Sequence, residues 1–147
     1  MMFDQKKITK ILVVDDDPNM IKLIKFYLLK ENVEIESSND GFDALLILEN
    51  QTFDLILIDM LMPKMDGRTL LKIMIEELNI KVPVIVVTAH GPTDNLMQLI
   101  EEGAYDILQK PFTTNRLILT LRNALRHKML SETCEGLHSI SNKENLS

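Results

Sequence analysis

The chain has 147 residues, of which 46% are apolar and 26% charged, with a formal net charge of −6 at pH 7. These values suit one globular domain, and the acidic balance argues against general binding to nucleic acid. Because no apolar run approaches the ~18 residues of a membrane span, no signal peptide is recognisable, and Cys134 is the lone cysteine, we expect a cytoplasmic protein without membrane contact.

In chain order, the residue pattern alternates strand and helix five times. Strands are predicted at 10–14, 33–37, 55–59, 84–88 and 106–109, and helices from Pro18, at 41–49, 68–77 and 93–102, and from Thr113 or Thr114. The Val/Ile/Leu runs are typical of strands covered by helices on both faces, whereas the short acidic second strand suits an edge. Right-handed crossovers then predict an α/β fold with a single doubly wound parallel sheet and five helices.

Polar side chains follow these apolar runs at the strand ends. Asp15 and Asp16 come after the first strand, Asp59 ends the third, Thr88 ends the fourth, and Lys110 follows the fifth. In a parallel sheet they share the carboxyl edge, where ligands bind in open α/β folds. Crowded carboxylates repel one another, and a hard cation such as Mg²⁺ would remove that cost. Asp17 is better read as a helix cap than as a ligand.

Asp59 has the chemistry of a nucleophile for phosphoryl transfer. A carboxylate can attack a phosphoryl group and form an aspartyl phosphate. Lys110 would supply a fixed positive charge and Thr88 a hydroxyl donor, while Pro111 restricts the backbone of the lysine. Met60, Met62 and Met65 do not suit a hard cation and are interpreted as packing or loop residues.

Four motifs at these strand ends resemble the receiver domains of bacterial two-component response regulators. They are Asp15-Asp16, Asp59 with Met62-Pro63 and Asp66-Gly67 after it, Thr88-Ala89, and Lys110-Pro111-Phe112. The resemblance covers about residues 8–128 and implies the flavodoxin-like strand order 2-1-3-4-5. It also implies a sensor histidine kinase or phosphotransfer protein as the donor, so that the chain is a signalling switch and not an enzyme beyond its own phosphorylation and dephosphorylation.

The resemblance implies a role for each site residue. Asp59 is the phospho-acceptor, Lys110 pairs with the phosphoryl group, and Thr88 moves towards it on activation. Mg²⁺, with Mn²⁺ as a substitute, is bound by Asp15, Asp16, Asp59 and the backbone carbonyl of Leu61. Leu61 and His90 occupy positions that tune dephosphorylation in the family, although His90 is equally compatible with a plain exposed loop residue.

One position departs from the family pattern. Receivers often have Tyr or Phe three residues before the lysine, as a switch coupled to the threonine, and this chain has Ile107 there. Tyr105 lies two residues earlier and is not assigned that role. The departure keeps a second hypothesis open, in which the chain is a receiver-like module that binds partners without being phosphorylated.

The segments around Thr88-Ala89-His90-Gly91 and Gly103-Ala104-Tyr105-Asp106 further resemble receivers of nitrogen-control-type transcriptional activators. Those proteins continue into an ATPase and a DNA-binding domain, for which no pattern fits after Leu130. We therefore expect a stand-alone receiver or a fragment of a larger transcriptional regulator, with no direct nucleic-acid binding by this chain.

Residues 129–147 are predicted as an extension of the fifth helix followed by a polar, linker-like tail. Two surfaces are candidates for a homodimer, namely this extension and the face formed by the fourth helix, fifth strand and fifth helix. Enzymatic alternatives are disfavoured. An aspartate-dependent phosphatase would need a second acid where Leu61 stands, and a flavin protein would need Gly, Ser and Thr where Asp15-Asp16-Asp17-Pro18 stands.

Overall fold

A computed structural model of the chain describes residues 7–89 and 94–126. Its strands are β1 (Thr9–Val14), β2 (Val33–Ser38), β3 (Leu55–Asp59), β4 (Val84–Thr88) and β5 (Asp106–Gln109). All neighbouring strands are parallel, and the sheet order is β2-β1-β3-β4-β5. The predicted parallel sheet, its flavodoxin-like order and the edge position of the acidic second strand are therefore confirmed.

The helices are α1 (Pro18–Tyr27), α2 (Gly41–Asn50), α3 (Gly67–Glu76), α4 (Asp94–Glu101) and α5, described over 114–126. Side-chain oxygens cap the helix starts. Asp17 accepts the N–H of Asn19, which confirms it as a cap, and Asp40 and Asp66 do the same for α2 and α3. Most bounds fall within one residue of the prediction; α3 begins at Gly67, one residue early, because Asp66 is its cap.

The sheet separates two apolar cores, since successive side chains of a strand point to opposite faces. Ile11, Val13, Ile85 and Val87 face the α1/α5 core, which is formed with α1 and α5. Their neighbours in the same strands, such as Val84 and Val86, face the α2/α3/α4 core. Each strand of the sheet centre is buried on both faces, which explains the continuous apolar runs.

No helix in the described ranges is long and apolar enough to cross a membrane. The predicted extension and tail at 129–147, and the boundary of the domain at residue 128, lie outside the described residues, as does His90. Those expectations stay predictions.

Candidate functional site at the carboxyl edge of the sheet

The sheet topology brings the predicted site residues to one edge. Asp59 and Thr88 are the last residues of β3 and β4, and Asp15 and Lys110 directly follow β1 and β5. These strands are parallel and adjacent, so their carboxyl ends meet. Asp15, Asp59 and Thr88 are all buried, with 3%, 7% and 1% of their surface exposed.

Lys110 places a positive charge beside the buried carboxylates of this edge. Its Nζ lies 3.0 Å from Oδ1 of Asp59 and 3.8 Å from Oδ2 of Asp15. Its backbone N–H donates to the carbonyl of Thr88 at 2.7 Å, which fixes the start of the lysine against β4. The Lys110–Pro111 peptide is cis, a feature that the sequence did not predict.

Three carboxylates gather beside the lysine. One oxygen each from Asp15, Asp16 and Asp59 lie within 4.8 Å of one another, the only such group of metal-ligating residues in 7–89 and 94–126. Asp16 is exposed, whereas Asp15 and Asp59 are buried. The N–H of Asp17 donates to Oδ1 of Asp15 at 2.9 Å, so the loop after β1 orients that carboxylate.

Burial raises the pKa of the two buried carboxylates, Asp15 and Asp59. It raises the pKa of Asp15 from 3.8 to about 6, against the hydrogen bond from Asp17, and the charge of Asp59 adds to the rise. Burial also raises the pKa of Asp59, opposed by the hydrogen bond and charge of Lys110. One ammonium thus offsets only part of the negative charge of three carboxylates, and a divalent cation would offset more.

The donor set fits a small hard cation. Mg²⁺ binds carboxylate oxygens, waters and phosphate oxygens, and these three side chains offer converging carboxylate oxygens at an accessible edge because Asp16 is exposed. Leu61 lies two residues after Asp59 and is 62% exposed. Its role as a ligand through the backbone carbonyl stays a prediction.

The loop after β3 is anchored on both sides of Leu61. Met62 and Met65 are only 9% and 8% exposed and pack in the α2/α3/α4 core, as expected of packing residues. Gly67 lies directly against the end of β3, because a Cβ on it would be 2.4 Å from the carbonyl oxygen of Asp59. Its N–H donates to the carbonyl of Met60 at 2.8 Å. This contact gives the physical reason for glycine in the Asp66-Gly67 motif.

Ile107 and Tyr105 lie on opposite sides of the sheet. Ile107 packs against the α2/α3/α4 core, and Tyr105 packs against the α1/α5 core. The Tyr105 hydroxyl donates to the carbonyl of Asn123 in α5 at 3.2 Å. Tyr105 precedes β5, which begins at Asp106. It therefore does not replace the aromatic side chain that receivers often have at position 107.

Comparison with known proteins agrees with this geometry. The response regulator receiver domain family matches residues 11–122. Transcriptional regulatory protein ZraR of Klebsiella oxytoca is 37% identical over 123 residues, which are 84% of this chain and 28% of that protein. Transcriptional regulatory protein ResD of Bacillus subtilis is 36% identical over 84% of this chain and 50% of its own length. The chain thus spans half or less of each of these two regulators.

Solved structures show the same likeness. A response regulator receiver domain protein from Clostridium thermocellum has a TM-score of 0.75 and 34% identity, covering 84% of this chain and 98% of that one. NtrX from Brucella abortus has a TM-score of 0.82 and 29% identity, covering 89% of this chain but 30% of its own. The likeness to NtrX agrees with the resemblance to nitrogen-control-type receivers.

Proposed function

This chain belongs to the response regulator receiver domain family, and we propose that it is a phospho-accepting switch in which Asp59 takes a phosphoryl group from a histidine kinase. Receivers of two-component response regulators are signalling domains, and the relatives named above are transcriptional regulators.

One observation carries the proposal. A buried carboxylate, Asp59, is 3.0 Å from the ammonium of Lys110, and two further carboxylates lie beside it. A structural ion pair would need one acid for one base. The surplus acids at an accessible edge instead suit a site that gathers positive charge around an incoming phosphoryl group.

The residues would act as follows. A carboxylate oxygen of Asp59 forms a bond to phosphorus while the bond from phosphorus to the donor nitrogen breaks, and the electron pair stays on the imidazole of the kinase. The ammonium of Lys110 pairs with the transferred group and offsets the charge of the phosphoryl oxygens. Thr88, buried at the end of the adjacent strand, supplies its hydroxyl to one of those oxygens.

The metal site belongs to the same proposal. Asp15, Asp16 and Asp59, with the backbone carbonyl of Leu61, would hold Mg²⁺ or Mn²⁺. When bound, the cation would supply positive charge that offsets the negative charge of the phosphoryl group. Asp15 is already oriented by the Asp17 N–H, and the exposure of Asp16 leaves the cation a path from solvent.

The output would follow from movement at this edge. A phosphoryl group adds about −1.5 to −2 charges and three acceptor oxygens, which would draw Thr88 and Lys110 inward together with the loops after β4 and β5. The face formed by α4, β5 and α5 would relay the change to an output domain, a partner protein or a second copy of the chain. We propose transcription regulation as the process, without direct nucleic-acid binding by this chain.

Ile107 supports a second candidate function, a receiver-like module that binds its partner without phosphorylation. Its aliphatic side chain is partly buried in the α2/α3/α4 core, at a position where receivers often use an aromatic side chain to couple the threonine to the surface. The intact acidic group and Lys110 favour the first candidate, since a pure binding module has no use for them.

The test is phosphoryl uptake from a small acyl phosphate, followed by intact mass. We expect one phosphoryl group on the wild-type chain in Mg²⁺, none after chelation with EDTA, and none on Asp59→Asn. Asp106→Asn is the matched control, because Asp106 is a half-buried aspartate at the start of β5, at the far end of the strand from Lys110. Uptake by Asp59→Asn equal to that of the control would refute the assignment of the acceptor.

A further inference from the structure

An arginine fork joins α3 to α4. Nε of Arg68 donates to Oε2 of Glu102 at 3.0 Å, and Nη2 donates to Oε1 of Glu102 at 2.5 Å and to Oε1 of Gln98 at 3.2 Å. Gln98 lies within α4, and Glu102 follows its last turn. The fork therefore bonds the first turn of α3 to the C-terminal half of α4.

Each charge of this fork lies at the unfavourable end of its own helix. Arg68 is in the first turn of α3, where the helix dipole is positive, and Glu102 is at the negative end of α4. The cap Asp66 offsets part of the charge of Arg68, whereas the first turn of α3 itself has no acid and the last turn of α4 has no base. The charges of the fork also compensate each other across the helix pair, and Arg68, together with the charge of Lys72, lowers the pKa of Glu102.

The fork is connected to the acceptor through one residue. Gly67, directly before Arg68, abuts the carbonyl oxygen of Asp59 and donates its N–H to Met60, so the first turn of α3 is fixed to the end of β3. In the chain, α4 lies between Thr88 and Lys110, the two groups that the proposed function draws inward. Displacement of α4 relative to α3 would strain three aligned hydrogen bonds at once.

We propose that the Arg68 fork is a latch that holds α4 against α3 before phosphorylation and thereby sets how readily Asp59 accepts a phosphoryl group. The inference rests on the proposed function. If the fork stabilises only the unphosphorylated arrangement, removing it shifts the population towards the phosphorylated arrangement. By linkage, the same change favours phosphoryl binding.

The experiment compares Arg68→Gln with the wild-type chain by two measurements. Hydrogen exchange of the α4 amides, without any phosphoryl donor, is expected to become faster, while exchange in α1 stays unchanged. Uptake from a small acyl phosphate in Mg²⁺ is expected to be about two- to fivefold faster, the range that the loss of one exposed ion pair corresponds to. Lys7→Gln is the matched control, since it removes another ion pair of an exposed cation, that of Lys7 with the half-buried Asp54 at 3.6 Å.

A charge swap separates the latch from a general effect on folding. Arg68→Glu alone should behave like Arg68→Gln. Combined with Glu102→Arg it should restore slow exchange and the wild-type uptake rate, because the pair is rebuilt with each charge at its preferred helix end. Arg68→Gln results equal to those of Lys7→Gln, faster exchange without faster uptake, or slower uptake would each overturn the latch.

The two proposals fail differently. If the wild-type chain takes up no phosphoryl group, the proposed function fails, and the coupling of the latch to uptake fails with it. Unchanged exchange in α4 of Arg68→Gln, in a wild-type background that takes up phosphoryl groups, would overturn the latch alone.

Discussion

Replacing Asp15 with asparagine should stabilise the metal-free chain at neutral pH. Asp15 is 3% exposed, and burial raises its pKa from 3.8 to about 6. A rise of that size means that the buried charge lowers the free energy of unfolding by about 3 kcal/mol at pH 7.5. Asparagine has the same shape and can still accept the N–H of Asp17, so Asp15→Asn removes the charge and keeps the hydrogen bond.

The sign of the pH dependence follows from the direction of the pKa change. Because the pKa of Asp15 is higher in the folded than in the unfolded chain, the native state holds this proton more tightly, and the contribution of Asp15 to wild-type stability falls as pH rises from about 4 to about 6. The advantage of Asp15→Asn should therefore be about 3 kcal/mol at pH 7.5, about 1.5 kcal/mol at pH 5, and near zero below about pH 4.

Urea unfolding in EDTA at pH 7.5, 6 and 5 measures this difference. Asp16→Asn is the matched control, because its side chain is exposed and a surface substitution should change stability by no more than about 0.5 kcal/mol. Added Mg²⁺ should raise the unfolding midpoint of the wild-type chain and raise that of Asp15→Asn much less. Two results would refute the reasoning. One is an Asp15→Asn chain less stable than wild type at pH 7.5, and the other is the same gain in the free energy of unfolding at pH 5 as at pH 7.5.

Three further substitutions test other contacts of the site. Gly67→Ala places a Cβ 2.4 Å from the carbonyl oxygen of Asp59. In urea unfolding it should lower the free energy of unfolding by about 1–3 kcal/mol, and a variant as stable as wild type would contradict the close approach. Lys110→Gln removes the ammonium 3.0 Å from Asp59 and should slow phosphoryl uptake, measured by intact mass, at least about tenfold. The circular dichroism spectrum should be unchanged, and an unchanged uptake rate would argue against a role of Lys110 in phosphoryl transfer. Tyr105→Phe loses the hydrogen bond to Asn123 and should cost less than about 1 kcal/mol in urea while leaving uptake unchanged; slower uptake would mean that Tyr105 does take part in the switch.

Much of the fold could be predicted because its strands carry a strong local signal. β4 was predicted with the bounds that the structure has, since a buried apolar run after Pro83 ends on a polar residue, Thr88. A parallel sheet then requires that Asp15, Asp59 and Lys110 meet, although they are far apart in sequence. The cap Asp17 could likewise be predicted, because a short polar side chain directly before a helix commonly accepts a hydrogen bond from the first turn.

The missed features depend on contacts that no local pattern encodes. Arg68 bonds to residues 30 and 34 positions away, and an exposed arginine on a helix looks like any solvated charge. The side of the sheet on which Tyr105 lies depends on whether β5 begins before or after it, and a strand boundary cannot be predicted from sequence to within one residue. The cis peptide before Pro111 has no signature in the residue types.

The two cores that the sheet separates have a consequence for how this molecule can vary. Thr88 continues the alternation of Val84 and Val86, whose side chains face α4, whereas Ile85 and Val87 face α1 and α5. Backbone lies between the two sets, so substitutions in one set leave the packing of the other largely intact. The sheet therefore divides the protein into two cores whose side chains can be substituted independently, so that the packing on one face can change while the residues at the carboxyl edge are kept.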